Sequence, residues 1–245
     1  MSWGLNRLFM ALAASATLAA CTTSAQPAPA APAERLATPA PRFDAAIAAF
    51  EEQDKANPPP KCAILFVGSS TIRFWSTLKE DFPTHTVINR GFGGSTVWEI
   101  NHYFDRVVAP YHPKQIVYYA GDNDIGSNHH SPEQVYADFQ TFMKLKTKAL
   151  GQTPVWFIAI KPSKLRFDML PDMQKVNARV KAMADRRDDL AFIDVVPVML
   201  KPDGTPKDIF REDGLHMTPE GYKLWTPLVE TALDAGQRGK APGCT

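Results

Sequence analysis

Cysteine is scarce in this chain: 245 residues hold three, Cys21, Cys62 and Cys244. That leaves room for one disulfide and no more. An excess of one charge sign is missing as well, since 27 Lys and Arg face 26 Asp and Glu for a net +1. With no basic stripe to break the balance, there is no electrostatic case for a nucleic-acid partner. Long hydrophobic runs are absent too. The apolar run Leu8–Ala20 is too short for a spanning helix, and no internal repeat is visible. What remains is 44% hydrophobic, ample for the core of one globular α/β domain with appendages.

The first stretch stands apart from that domain. Arg7 followed by Leu8–Ala20 has the shape of a signal h-region. The run ends in Leu18-Ala19-Ala20-Cys21, which resembles the lipobox of bacterial lipoproteins. The resemblance implies cleavage before Cys21 and acylation of its thiol and new amino terminus. Several acyl chains then anchor the protein stably in a lipid bilayer. Thr22 stands where an inner-membrane retention signal has aspartate, so the expected location is the bacterial cell envelope, at the outer membrane facing the periplasm. From Thr22 to Pro41 the chain is rich in Ala, Pro and Ser, which cannot bury enough apolar surface to offset ordering entropy and reads as a tether. The expected division is a signal peptide over 1–20, lipidated Cys21 and tether over 21–41, and one folded domain over 42–245.

Within that domain, apolar runs alternate with helical spacing. Strands are predicted at Cys62–Val67, Thr86–Asn89, Gln115–Ala120, Val155–Ile160 and Leu190–Asp194. Helices are predicted at Phe43–Lys55, Thr71–Leu78, Thr96–Val107, from Ser131-Pro132 to Leu150, at Leu170–Arg187, and after a Thr218-Pro219 cap. Alternation of this kind specifies a five-stranded parallel sheet with helices on both faces. Its ligand crevice lies outside the carboxyl ends of the strands. Cys62 opens the first strand and Cys244 follows the last helix. A last helix running back from the crevice brings the two thiols to one edge, where a disulfide is permitted in an exported protein. Two independent thiols fit the sequence as well.

Four short segments carry chemistry: Gly68-Ser69-Ser70-Thr71, Gly93-Gly94, Gly121-Asp122-Asn123-Asp124 and Asp213-Gly214-Leu215-His216. The first and third directly follow predicted strands. A serine hydroxyl is a poor nucleophile until a base accepts its proton. Ser70 is the candidate nucleophile, His216 the base and Asp213 the group that orients it. The oxyanion produced by attack on a carbonyl needs donors already in place. The Ser70 and Gly94 N–H groups and the Asn123 amide are the candidates for that hole. Each segment alone is an ordinary turn; the informative feature is their joint occurrence in this order.

Taken together, these segments resemble the sequence blocks of the SGNH hydrolases, the GDSL esterase/lipase superfamily. Ser70 matches the serine of its Gly-Asp-Ser block, and Gly94 in Asn89-Arg90-Gly91-Phe92-Gly93-Gly94 matches the oxyanion glycine. Asn123 matches its Gly-x-Asn-Asp block, and Asp213 to His216 its Asp-x-x-His block. The resemblance spans about Cys62 to Leu233. It implies a flavodoxin-like three-layer αβα fold and hydrolysis of an ester substrate by serine chemistry, with no metal and no cofactor. One position departs from the pattern: Ser69 stands where the family has aspartate. An α/β-hydrolase needs a second glycine after the serine, and position 72 is Ile. The rival reading is a non-catalytic lipoprotein that binds carbohydrate or lipid in the same crevice.

Other residues invite a role. His129-His130 suggests metal, but no Cys or carboxylate set stands beside it at ligand spacing. Trp75 and Trp98 read as core rather than as substrate platforms. Lys161, Ser163 and Arg166 follow the fourth strand and either line the pocket or form a polar surface loop. Oligomeric state is not legible.

Overall fold

Five short apolar runs become strands: β1 Ile64–Gly68, β2 Val87–Gly91, β3 Gln115–Tyr119, β4 Val155–Ile158 and β5 Leu190–Ile193. They form one parallel sheet in the order β2-β1-β3-β4-β5, with Ile64 of β1 opposite both Val87 and Gln115. The structure, a computed structural model, describes Met1, residues 42–236 and residues 239–244. The expected signal segment beyond Met1, the Cys21 site and the whole of the tether over 21–41 lie outside the described residues. Among the described residues, no helix is long and apolar enough to cross a membrane.

Side chains alternate across a strand, so a strand covered on both faces must be apolar throughout. In β1, Leu65 and Val67 enter one core and Ile64 and Phe66 the other. The first core is roofed by α1 (Asp44–Ala56), α4 (Val97–His102), α5 (Phe104–Val107), α7 (Pro132–Leu150) and α8 (Leu170–Ala184). The second is roofed by α2 (Ser70–Arg73), α3 (Leu78–Asp81), α9 (Val196–Met199) and α10 (Pro219–Ala235). The expected three-layer αβα arrangement is therefore the one observed. One further turn of helix, α6 (Asp122–Gly126), follows β3.

Local chemistry explains several boundaries. Ser131 caps α7 by accepting the Gln134 N–H at 3.2 Å, with Pro132 at the first helical position. Thr96 and Glu99 close a reciprocal capping box on α4. The single helix expected over 71–78 is instead two, α2 and α3. Burial of Trp75 decides this: its ring packs against Phe66, Phe82, Tyr222 and Trp225, and its indole N–H donates to Asp81 Oδ2 at 2.6 Å. The helix expected over 96–107 is likewise interrupted at Tyr103, a buried residue. Thr218 stands at the N-cap position of α10, but its hydroxyl donates to the Ile209 carbonyl at 3.3 Å and does not cap the helix.

The chain end is tied to the opposite side of the sheet from the strand carboxyl ends. Gly239 N–H donates to Asp188 O, just before β5, and Pro242 lies against Gly151, just before β4. Cys244 then reaches Cys62, just before β1, and the two, 182 positions apart in sequence, form a disulfide with Cα atoms 5.6 Å apart. Of the two readings left open by the sequence, pairing is the one observed.

Candidate active site

Gly68 ends β1 with φ +154°, and a Cβ there would lie 2.0 Å from the Tyr119 carbonyl oxygen of β3. Only glycine lets the two strands run this close and the chain then turn sharply. The Ser69 carbonyl accepts the Ile72 and Arg73 N–H groups, which winds the chain at once into α2 with Ser70 as its first residue. Position 69 thus braces the turn through its backbone, while the Ser69 side chain is fully buried. Sheet order reverses between β1 and β3, so the loops after these two strands diverge and leave a crevice between them. Ser70 and Asn123 stand at its two sides.

His216 comes from the loop that precedes α10. Its Nε2 lies 2.9 Å from Ser70 Oγ, and its Nδ1 lies 2.6 Å from Asp213 Oδ2. Asp213 Oδ1 also accepts the backbone N–H groups of Leu215 at 2.8 Å and His216 at 2.9 Å. Partial burial works against ionisation of Asp213, but the imidazole and these two N–H groups outweigh it and hold the carboxyl down to about 2. An ionised carboxylate only accepts, so the proton between them sits on Nδ1 and leaves Nε2 to accept from the serine. Phe74 packs edge-on against the imidazole, ring centroids 4.9 Å apart, and limits its swing.

Asn123 lies on α6, one turn after β3, and is 5% exposed. Its amide Nδ2 donates to the Ser95 carbonyl at 3.1 Å, which ties the Asn block to the glycine block. The Ser95 hydroxyl in turn donates to Gly68 O at 3.3 Å. Gly94 has φ +84°, and its carbonyl accepts from Arg42 at 2.8 Å. Asp124 accepts the Val97 N–H on both carboxylate oxygens, at 3.1 and 3.2 Å, and so braces the block. The structure therefore brings Ser70, His216 and Asp213 into one hydrogen-bonded line. It gathers the Gly94 and Asn123 segments around Ser95 beside them.

Two points of the sequence reading are decided here. Of the two alternatives for Lys161, Ser163 and Arg166, the polar surface loop falls, since all three are buried. Lys161 Nζ donates to Asp122 Oδ2, Thr71 Oγ1 and Tyr119 OH at 2.9, 3.1 and 3.1 Å. A lysine directly after an apolar strand at the crevice edge was the signal, since a buried charge needs partners. The second concerns His129-His130. His129 is exposed, but His130, Asp124 and Asp138 each offer a ligand atom within 4.8 Å of one another, so carboxylates do stand near. Trp75 is core as expected; Trp98, expected in the core as well, is only half-buried and stacks on His102 with ring centroids 5.4 Å apart.

Comparison with known proteins agrees with this architecture. Residues 66–224 match the GDSL-like lipase/acylhydrolase family. No curated protein sequence matches the chain. A GDSL-like lipase from Bacteroides thetaiotaomicron superposes with a TM-score of 0.67 at 21% identity, over 77% of this chain and 97% of that one. A Bacteroides fragilis protein provisionally named an acylhydrolase gives 0.67 at 23%, over 76% and 94%. A carbohydrate esterase family 3 protein from Talaromyces cellulolyticus gives 0.58 at 14%, over 70% and 96%.

Proposed function

The chain belongs to the GDSL-like lipase/acylhydrolase family and is a hydrolase of ester bonds, and on that premise we propose a serine esterase that works through an acyl-enzyme. Ser70 Oγ attacks the ester carbonyl as His216 Nε2 takes its proton. Asp213 keeps the imidazole in the required tautomer and stabilises the imidazolium. The developing oxyanion is met by the Ser70 and Gly94 N–H groups and the free N–H of Asn123. His216 then returns its proton to the leaving alkoxide, and water repeats the sequence to release the acid. The observation that carries this reading is the Ser70–His216–Asp213 line, with contacts of 2.9 and 2.6 Å.

The substrate is proposed to be a carboxylic ester with a short or accessible acyl group. Support comes from the compactness of the connections: among the described residues, no long insertion stands over the crevice as a lid. Acetylesterase and lysophospholipase activities both fit this chemistry. Turnover of p-nitrophenyl acetate by the purified protein, then of p-nitrophenyl esters of rising chain length, tests the reading. Rates highest for acetate and falling with length are expected; no turnover at any length would favour a binding protein instead. The protein is further proposed to be anchored at Cys21 in a bacterial outer membrane, on the strength of Leu18-Ala19-Ala20-Cys21 and the tether after it.

A further inference from the structure

Arg166 reaches the crevice from the loop after β4, and 7% of its surface is exposed. Both of its terminal nitrogens lie 3.1 Å from Asn123 Oδ1. Nη1 also donates to the Asp122 carbonyl at 2.8 Å and Nη2 to Ser127 Oγ at 2.7 Å. All four bonds fall on the segment 122–127 that carries Asn123. The guanidinium lies close against this segment because residue 126 is glycine. A Cβ there would stand 2.3 Å from Arg166 Cδ and Nε.

Consider what this does to the Asn123 amide. Its oxygen is occupied by a cationic fork, and one of its two N–H groups is spent on Ser95 O. A planar amide held at both ends cannot flip, so the remaining N–H has one direction. A cation on the carbonyl side also draws electron density from the nitrogen and makes that N–H a stronger donor. The Arg166 charge is only partly offset. Asp122 Oδ2 lies 3.7 Å from Nη1 and is already paired with Lys161 at 2.9 Å, so two cations share one carboxylate. Burial pushes that carboxyl up, yet the two cations outweigh burial and hold it below its usual range.

We infer that Arg166 is a positioning residue of the oxyanion hole, fixing and polarising Asn123 so that its free amide N–H meets the developing oxyanion. The inference rests on the proposed donor role of Asn123. Its consequence is specific: Arg166 matters to the transition state through residue 123 and not otherwise. A brace that merely stabilised the fold would lower the melting temperature, and its effect on rate would not depend on residue 123.

The test is a double-mutant cycle on the full chain in detergent, with kcat and KM measured on p-nitrophenyl acetate. Asn123→Ala is expected to lose about 10²–10³ in kcat. Arg166→Gln should lose about 10–10², with KM changed less than about 2-fold. Added to Asn123→Ala, Arg166→Gln should cost less than about a further 2-fold. Arg166→Lys keeps the charge but not the fork, and should fall between Arg166→Gln and the native enzyme. If Arg166→Gln costs the same factor with and without the Asn123 amide, the inference is overturned while Asn123 stays a donor. If Asn123→Ala leaves kcat intact, the donor reading itself fails and the inference with it. Should Arg166→Gln not fold, Gly126→Ala displaces the guanidinium without removing it, and an unchanged kcat in that variant overturns the inference equally.

Discussion

Adjacent serines at the end of β1 (Ile64–Gly68) have opposite environments. Ser69 is fully buried and Ser70 Oγ faces His216. Ser70→Ala is therefore expected to lower kcat by roughly 10⁴–10⁶ with the fold retained, and Ser69→Ala by far less. Steady-state kinetics and circular dichroism on both variants check this; a dead Ser69→Ala beside an active Ser70→Ala would exchange their roles. The acid behaviour follows from Asp213. Its carboxyl is depressed from 3.8 to about 2, so the native pairing is fully present above 3.8 and is lost only as pH falls through about 2. Asp213 therefore stays ionised at every pH above 3.8. The acid limb of log kcat/KM against pH should thus have a slope of one, as the imidazole alone loses its ability to accept the Ser70 proton. A slope of two would mean that Asp213 titrates with it. Chelators are expected to leave the rate unchanged. A loss in EDTA restored by a divalent cation would move the chemistry to Asp124, His130 and Asp138.

Elements are joined at the rear of the sheet by one buried ion pair. Lys146 of α7 (Pro132–Leu150) pairs with Asp189, just before β5, and donates to Gly151 O at 3.0 Å. Burial pushes the lysine below its usual range despite that partner. Asp189 also accepts two bonds from Arg187, each 2.8 Å. Removing one member of a buried pair leaves the other's charge uncompensated. Lys146→Met should cost about 3 kcal/mol, the low end for such a loss because Arg187 remains on Asp189. Urea denaturation checks this. A midpoint equal to that of the native protein would mean that the pair contributes nothing net. Since the pair is at the edge remote from Ser70, kcat of the folded fraction should not change.

For the molecule as a whole, the Cys62–Cys244 bond closes a loop of nearly the entire domain. The chain-entropy account gives up to about 5 kcal/mol for a loop of that length. Reduction should lower the melting temperature and leave kcat nearly as it was, because the bond sits at the strand amino ends and the crevice at the carboxyl ends. A fall in kcat at temperatures well below melting would contradict that separation. The anchor is tested by expressing the full chain in a bacterium. Wild-type protein should partition with membranes and Cys21→Ala should not. Recovery of the wild type as a soluble, unacylated species would dispose of the lipobox.

Much of the architecture was legible in the residues alone. Period and composition determine local structure: a short apolar run such as Ile64-Leu65-Phe66-Val67, bounded by Pro60 and Gly68, fits a strand covered on both faces, and Ser131-Pro132 fits the start of a helix. The four short segments were legible through their joint occurrence in this order, two of them directly after predicted strands, since each alone is an ordinary turn. Tertiary structure alone decided the rest. Trp75 left a predicted helix because a large apolar ring gains more from burial than one turn gains from continuing. The pairing of Cys62 with Cys244 depended on where the tail runs, which no spacing encodes. For Lys161 and Arg166 the sequence left pocket lining and a polar surface loop both open, because a cation in a loop ordinarily keeps its water. Only when β3 and β4 lie side by side do Asp122 and Asn123 come within reach, and those contacts replace the water that each charge gives up.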